Sequence, residues 1–208
     1  MNTFFNIITP TFNRSHAIIE RCIASVDAQI HKNWKHFVII DDVDKNKNKH
    51  VPQNLIEKYS SPKREFICLG HNSNNFGNSP RKLGINLSTE NGYIVFVDDD
   101  NIIFPNYLST FNKNIQPQPN IITHVCKIIH MGPLPPNLGT PPKVLNGNPP
   151  VLQNIDTLQV CVKSQIMKQH GWLNMGYMAD GYTIQSLCKN WNYIMGKGFQ
   201  TIYHVFTF

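Results

Sequence analysis

Acidic side chains are scarce in this chain. Among 208 residues there are 13 Asp and Glu against 19 Lys and Arg, a formal charge of +6. The basic residues are spread out, and their densest run (Lys45, Lys47, Lys49) alternates with Asn. That argues against the cationic stripe interleaved with aromatics by which proteins grip nucleic acid, so no nucleic-acid partner is expected. Apolar runs of the roughly 20 residues needed to cross a bilayer are missing, so no membrane span is expected. Met1–Thr9 has no basic segment ahead of a leader-like apolar stretch. Cysteine is sparse and unpaired in pattern: Cys22, Cys68, Cys126, Cys161 and Cys188 include no C-x-x-C, which argues against a zinc ribbon or a disulfide framework. Cys22, Cys126 and Cys161 sit in apolar patterns and are expected as buried, reduced thiols. A soluble protein of a reducing, cytoplasmic compartment is the expectation.

What is present suffices for a core. The chain is 41% hydrophobic, with 12 Phe, 7 Tyr and 3 Trp, too apolar for disorder and of a length for one domain. Nothing in it specifies an oligomeric state. Strands are predicted at Phe4–Thr9, stopped by Pro10, and at His36–Asp41, Glu65–Leu69 and Tyr93–Val97. Between them lie helices: one capped by Ser15 and carrying Ile18, Ile19, Cys22, Ile23, Val26 and Ile30, one near Asn54–Tyr59, and one from Pro80 to about Leu87. This alternation predicts an α/β fold, a mostly parallel central sheet with helices on both faces. Further on, helices are expected from Pro105 to about Ile115, at Ser164–His170 and at Asp180–Lys189. Strands are expected at Ile121–Ile129, Thr157–Val162 and Gln200–Phe206. Residues 132–150 hold seven prolines and three glycines and are expected as a long irregular loop.

Six of the 13 acids fall in two clusters. Asp41, Asp42 and Asp44 follow Phe37-Val38-Ile39-Ile40, and Asp98, Asp99 and Asp100 follow Tyr93-Ile94-Val95-Phe96-Val97. Each cluster therefore stands at the carboxyl end of a buried strand, the edge where open α/β sheets bind ligands. A single Asp there commonly caps a helix or makes an Asx turn. Three in a row repel one another unless a cation neutralises them, and a divalent metal held by hard oxygens is the simplest candidate.

Ile8-Thr9-Pro10-Thr11-Phe12-Asn13-Arg14, then Val38-Ile39-Ile40-Asp41-Asp42, then Asn75-Phe76-Gly77 with Arg81 and Gly84-Ile85, then Ile94-Val95-Phe96-Val97-Asp98-Asp99-Asp100 form an ordered series. It resembles the inverting family 2 glycosyltransferases of the GT-A fold over about residues 4 to 104. The resemblance implies one GT-A domain over residues 1–208, with a nucleotide-sugar donor half (1–104) and an acceptor half (105–208). It implies a hexosyltransferase-like enzyme that moves a sugar from a UDP- or GDP-sugar to a glycan, protein or small-molecule hydroxyl.

By the same resemblance, Asp98 and Asp100 would hold Mn²⁺ or Mg²⁺ as a D-x-D motif, with a late histidine, His204, as a further metal ligand. Thr9, Pro10, Thr11, Asp41, Asp42, Arg81, Asp98 and Asp99 would bind the nucleotide. Asp180, ahead of a helix, would be the general base, with Asp156 as fallback; each also fits a capping or turn role. Trp172 or Tyr177 could stack on an acceptor sugar or simply pack. The sequence departs from the family pattern at Lys82, at Ala179 beside Asp180, and at Asp42-Val43-Asp44. Two other readings stand beside this one: a GT-A domain that binds without turnover, and a Mg-dependent phosphatase of the haloacid dehalogenase type using Asp42 and Asp44.

Overall fold

Strand β1 (Phe5–Thr11) is buried along its whole length because parallel strands cover both its edges and helices cover the sheet. The computed structural model describes residues 2–42, 51, 53–116, 119–131 and 144–205. In it β1 pairs in parallel with β2 (Trp34–Ile40) and β4 (Tyr93–Phe96), and β2 pairs in parallel with β3 (Arg64–Cys68). The crossovers are α1 (His16–Asp27), α2 (Gln53–Tyr59) and α3 (Asn78–Leu87), as parallel pairing requires.

Pro10 does not stop β1. The ladder between β1 and β4 ends at Ile8 and Phe96, so the N–H that Pro10 lacks has no partner to serve there. Helix α1 buries Ile18, Ile19, Cys22, Ile23 and Val26 but ends before Ile30, which is 66% exposed. Ser15 stands at its N-cap, yet only through its backbone carbonyl, which accepts from Ile18 and Ile19.

The second half contains β5 (Asn101–Ile103), α4 (Tyr107–Lys113), β6 (Ile121–Met131), β7 (Val144–Leu145), β8 (Val160–Lys163), α5 (Ser164–His170), α6 (Ala179–Asn190) and β9 (Tyr193–Val205). The strands join one nine-stranded sheet in the order β3-β2-β1-β4-β8-β6-β9-β5, with β7 on β6. The parallel expectation holds from β3 to β4. Beyond that the sheet is mixed, since β8 lies antiparallel to both β4 and β6.

The expected strand at Thr157 begins instead as a 3₁₀ turn, Thr157–Gln159, capped by Asp156. The last strand starts at Tyr193, not Gln200, because residues 193–195 pair with Ile121–Thr123 of β6. Residues 132–143 of the proline-rich segment lie outside the described residues, as do Asp44 and Lys45–Lys49.

One contact sets the depth of α3. A Cβ on Gly84 would stand 2.5 Å from Ile8 Cγ2 of β1, so only glycine lets the helix settle this close to the strand. That approach carries Arg81, at the first turn of α3, over the carboxyl ends of the central strands.

Candidate active site

The parallel strands end together at one edge. Asp41 N–H donates to the Thr11 carbonyl at 2.9 Å, and Val97 N–H donates to the Ile8 carbonyl at 3.0 Å. Above this edge lies a cavity of about 730 Å³. Pro10, Thr11, Asp41, Arg81 and Asp98 to Asp100 line it from the first half of the chain, and Asp156 and Asp180 from the second.

The carboxylate trio is neutralised from within the protein. After β4 the chain turns, with Asn101 N–H donating to the Asp98 carbonyl at 3.0 Å, and the three side chains fan towards two arginines. Arg14 Nε lies 3.0 Å from Asp99 Oδ1 and its Nη2 2.8 Å from Asp100 Oδ2. Arg81 Nη2 pairs with Asp98 Oδ1. Two like charges about 4 Å apart cost on the order of 4 kcal/mol in a protein-like dielectric, so these guanidinium groups remove a large repulsion. A divalent ion is therefore not the trio's only source of countercharge. Asp99 is 4% exposed, and burial pushes its carboxyl up to about 7, with Arg14 opposing and Asp100 adding to the rise.

Arg81 is itself buried. Its Nη1 donates to the Phe76 carbonyl at 3.0 Å, and its guanidinium carbon lies 5.2 Å from the centre of the Trp172 ring. Trp172 is thus a core residue: it packs on Phe96 and donates Nε1–H to Asn78 Oδ1 at 2.8 Å.

Among the described residues, no group of three or more His, Cys, Asp or Glu side chains is arranged to hold a metal. The donor chemistry nevertheless suits Mg²⁺ or Mn²⁺. Such ions commonly take one or two carboxylates and complete their shell with substrate phosphates and water, and the Asp98 and Asp100 carboxylates both line the cavity. His204 pairs through its backbone with Asn101; its side chain lies outside the described residues.

The other expected nucleotide contacts divide. Pro10 and Thr11 line the cavity, whereas the Thr9 side chain points into the protein, 2.9 Å from His36 Nε2. Arg64 Nε donates to His36 Nδ1 at 3.0 Å. The proton of the neutral ring is therefore on Nε2, which donates to Thr9 Oγ1. Burial, then Arg64, drives the His36 pKa well below the usual imidazole value. Asp41 lines the cavity, but its carboxylate also accepts from the Ser73 N–H at 2.7 Å and the Ser73 hydroxyl at 2.5 Å, tying the end of β2 to the loop before α3. Asp42 is half-buried and is not among the lining residues.

Asp180, which also lines the cavity, is the second residue of α6, not its cap; Met178 holds the cap position. Its Oδ1 accepts from Gly181 N–H at 2.7 Å. Burial raises its carboxyl to about 6, with Asp156 and Asp98 adding and the Gly181 N–H and Arg81 opposing. A carboxylate poised near neutral pH in a cleft has the property of a general base. Asp156 is more occupied: it accepts from Leu158 N–H at 2.9 Å, while its own N–H donates to Gln159 Oε1 at 2.8 Å, a reciprocal cap of the 3₁₀ turn.

Three features have no signal in the sequence: the countercharge role of Arg14, the fastening role of Asn78, and Phe76 as the ring partner of Tyr177. Phe76 and Tyr177 line the cavity and meet edge to face, with ring centres 5.8 Å apart.

The description Glycosyl transferase family 2 belongs to the family whose pattern matches residues 6–167 of this chain. No curated protein matches the sequence. Among solved structures, S. aureus TarS 1-349 in complex with UDP has a TM-score of 0.73 at 17% identity, covering 99% of this chain and 61% of that one. S. aureus TarS has a TM-score of 0.73 at 18% identity, covering 98% of this chain and 37% of that one. The chain thus spans about three fifths or less of these TarS chains, and it shares their fold.

Proposed function

The chain belongs to glycosyl transferase family 2, and from that premise we propose that it is a metal-dependent, inverting glycosyltransferase moving a sugar from a UDP- or GDP-sugar to an acceptor hydroxyl. The observation that carries this reading is the gathering of charged groups in one cavity: Asp98 to Asp100 paired with Arg14 and Arg81, and Asp180 from the second half of the chain. TarS, whose fold is similar, is crystallised with UDP, which supports a nucleotide-linked donor here.

Residues 1–104 would hold that donor and residues 105–208 the acceptor. A leaving diphosphate carries concentrated negative charge, and Arg81 and Arg14 are the nearby cations that can face it once the donor enters. Asp98 and Asp100 would hold Mn²⁺ or Mg²⁺, which when bound supplies Lewis-acid stabilisation of that leaving group. Pro10, Thr11 and Asp41 would orient base and ribose at the strand edge. Asp180, ionised above about pH 6, would take the proton of the acceptor hydroxyl as it attacks the anomeric carbon. Attack on the face of the anomeric carbon opposite the departing diphosphate would invert its configuration.

The test is release of nucleoside diphosphate from UDP- and GDP-sugars with Mn²⁺, comparing wild type with Asp180→Asn. Turnover by wild type that falls 10²-fold or more in the variant is the expected result. A second reading, a domain that binds donor without turnover, is favoured by the arginines that already neutralise the trio; binding with no release by either protein would select it.

A further inference from the structure

We propose that Phe76 and Tyr177 form a stacking platform for a pyranose ring, so that the acceptor is a glycoside rather than an acyclic polyol or a free amino-acid hydroxyl. The inference rests on the transferase reading above and deepens its acceptor side.

Large apolar side chains are seldom left in water at a concave site without a ligand to cover them. Phe76 is 65% exposed and Tyr177 72% exposed, and both line the cavity. Their rings meet at 80° and form a corner, not two isolated surface residues.

The backbone adds an independent sign. Phe76 has φ of 59°, the left-handed region that bulky side chains occupy only when the surroundings hold them there. Arg81 Nη1 does so by donating to the Phe76 carbonyl at 3.0 Å. Across the rim, Asn78 Nδ2 donates to the Gly176 carbonyl at 3.1 Å, and the 3₁₀ turn Gly176–Met178 carries Tyr177. Neither bond involves the rings themselves. The platform is therefore held open in advance of any ligand, which lowers the ordering cost of binding.

Its position selects the chemistry. Tyr177 lies three residues before Asp180, on the turn that runs directly into α6. A pyranose offers an apolar C–H face for an aromatic ring and equatorial hydroxyls for carboxylates, here Asp180 and Asp156 in the same cavity. An acyclic polyol has no rigid apolar face, and a serine or threonine side chain is too small to cover two rings.

The test is saturation-transfer NMR on the intact chain, with and without UDP and Mn²⁺. The probes are methyl β-D-glucopyranoside, methyl β-D-galactopyranoside and methyl N-acetyl-β-D-glucosaminide, against ribitol and N-acetylserine methylamide. Phe76→Asn, whose residue tolerates the left-handed backbone, Tyr177→Ala and Tyr177→Phe are compared with wild type, and the UDP-induced melting shift is followed in each. At least one pyranoside is expected to give transfer that falls fivefold or more in Phe76→Asn and Tyr177→Ala and survives in Tyr177→Phe, with the UDP shift unchanged throughout. The proposal is overturned by pyranosides that fail to bind, by binding indifferent to both variants, or by ribitol binding equally well. It is also overturned if the variants abolish the UDP shift, since the pair would then serve the donor. A wild-type protein that binds pyranosides through the two rings but shows no nucleotide shift would keep the platform and remove the donor reading.

Discussion

Arg14 Nη2 lies 2.8 Å from Asp100 Oδ2, across 86 positions of sequence. The same guanidinium holds the buried Asp99, so one side chain joins the loop after β1 to the turn after β4. Arg14→Ala leaves a buried carboxylate without its partner. A charged hydrogen bond lost in this way costs about 2 kcal/mol, and a lower melting temperature that added Mn²⁺ partly restores is the expected outcome. Unchanged stability in Arg14→Ala would show that the trio does not depend on this countercharge.

Asp180 links stability to pH. Its folded pKa of about 6 stands above the ordinary 3.8, so between about pH 4 and 6 the folded state binds the proton more tightly than the unfolded state does. That contribution to stability is full at pH 4 and lost as pH rises through 6. Asp180→Asn removes the burdened carboxylate and is expected to stabilise the fold above pH 6 by about 1 to 2 kcal/mol, allowing for partial solvent screening, with little difference below pH 4. Melting curves across pH check this. A variant less stable than wild type at pH 7.5 contradicts it.

Thr9→Val separates the core from the site. The substitution leaves the buried His36 Nε2–H without its acceptor at 2.9 Å, a loss of about 1 to 3 kcal/mol in folding. UDP affinity is expected to stay at the wild-type value, because the Thr9 side chain is turned away from the cavity. A large fall in affinity measured by calorimetry would return Thr9 to the nucleotide site.

Gly77→Ala does the reverse. Gly77 has φ of 76°, and an added Cβ would stand 2.8 Å from Arg81 Nη1 and 3.1 Å from Pro10 Cβ. The left-handed backbone alone costs an alanine about 1 to 2 kcal/mol. Because the clash falls on Arg81, UDP affinity is expected to drop about tenfold, equivalent to 1.4 kcal/mol, and this drop should persist at temperatures where the variant remains folded.

Legibility in the sequence followed sequence distance. The strands β1 to β4 were readable because each is a short apolar run buried on both faces, and two of them end in clustered acids. β5 was not, since Asn101–Ile103 becomes a strand only by pairing with β9, about 100 residues away. Helix α1 ends at Asp27, short of the expected Ile30: Ile30 keeps the helical apolar spacing after the chain has left the helix. Asp98 to Asp100 stand out by local pattern and Asp180 by the family resemblance, and one cavity brings them together. The partners that govern their charge, Arg14 and Arg81, lie 17 or more positions from the carboxylates they bind, and no local pattern encodes that pairing. Thr9 shows a limit of another kind: it lies two residues deeper along the strand than Thr11, enough to put its hydroxyl in the core and not at the edge.

The central claim is that the 98–100 carboxylates and their arginines receive a nucleotide diphosphate with a divalent ion. Calorimetric titration of UDP and GDP, with and without Mn²⁺, on wild type, Asp98→Asn and Asp100→Asn addresses it directly. Binding of one nucleotide that weakens tenfold or more when Mn²⁺ is withheld, and likewise in either variant, is the predicted result. Absence of binding by both nucleotides in the presence of Mn²⁺, or an affinity indifferent to both substitutions, would contradict the account.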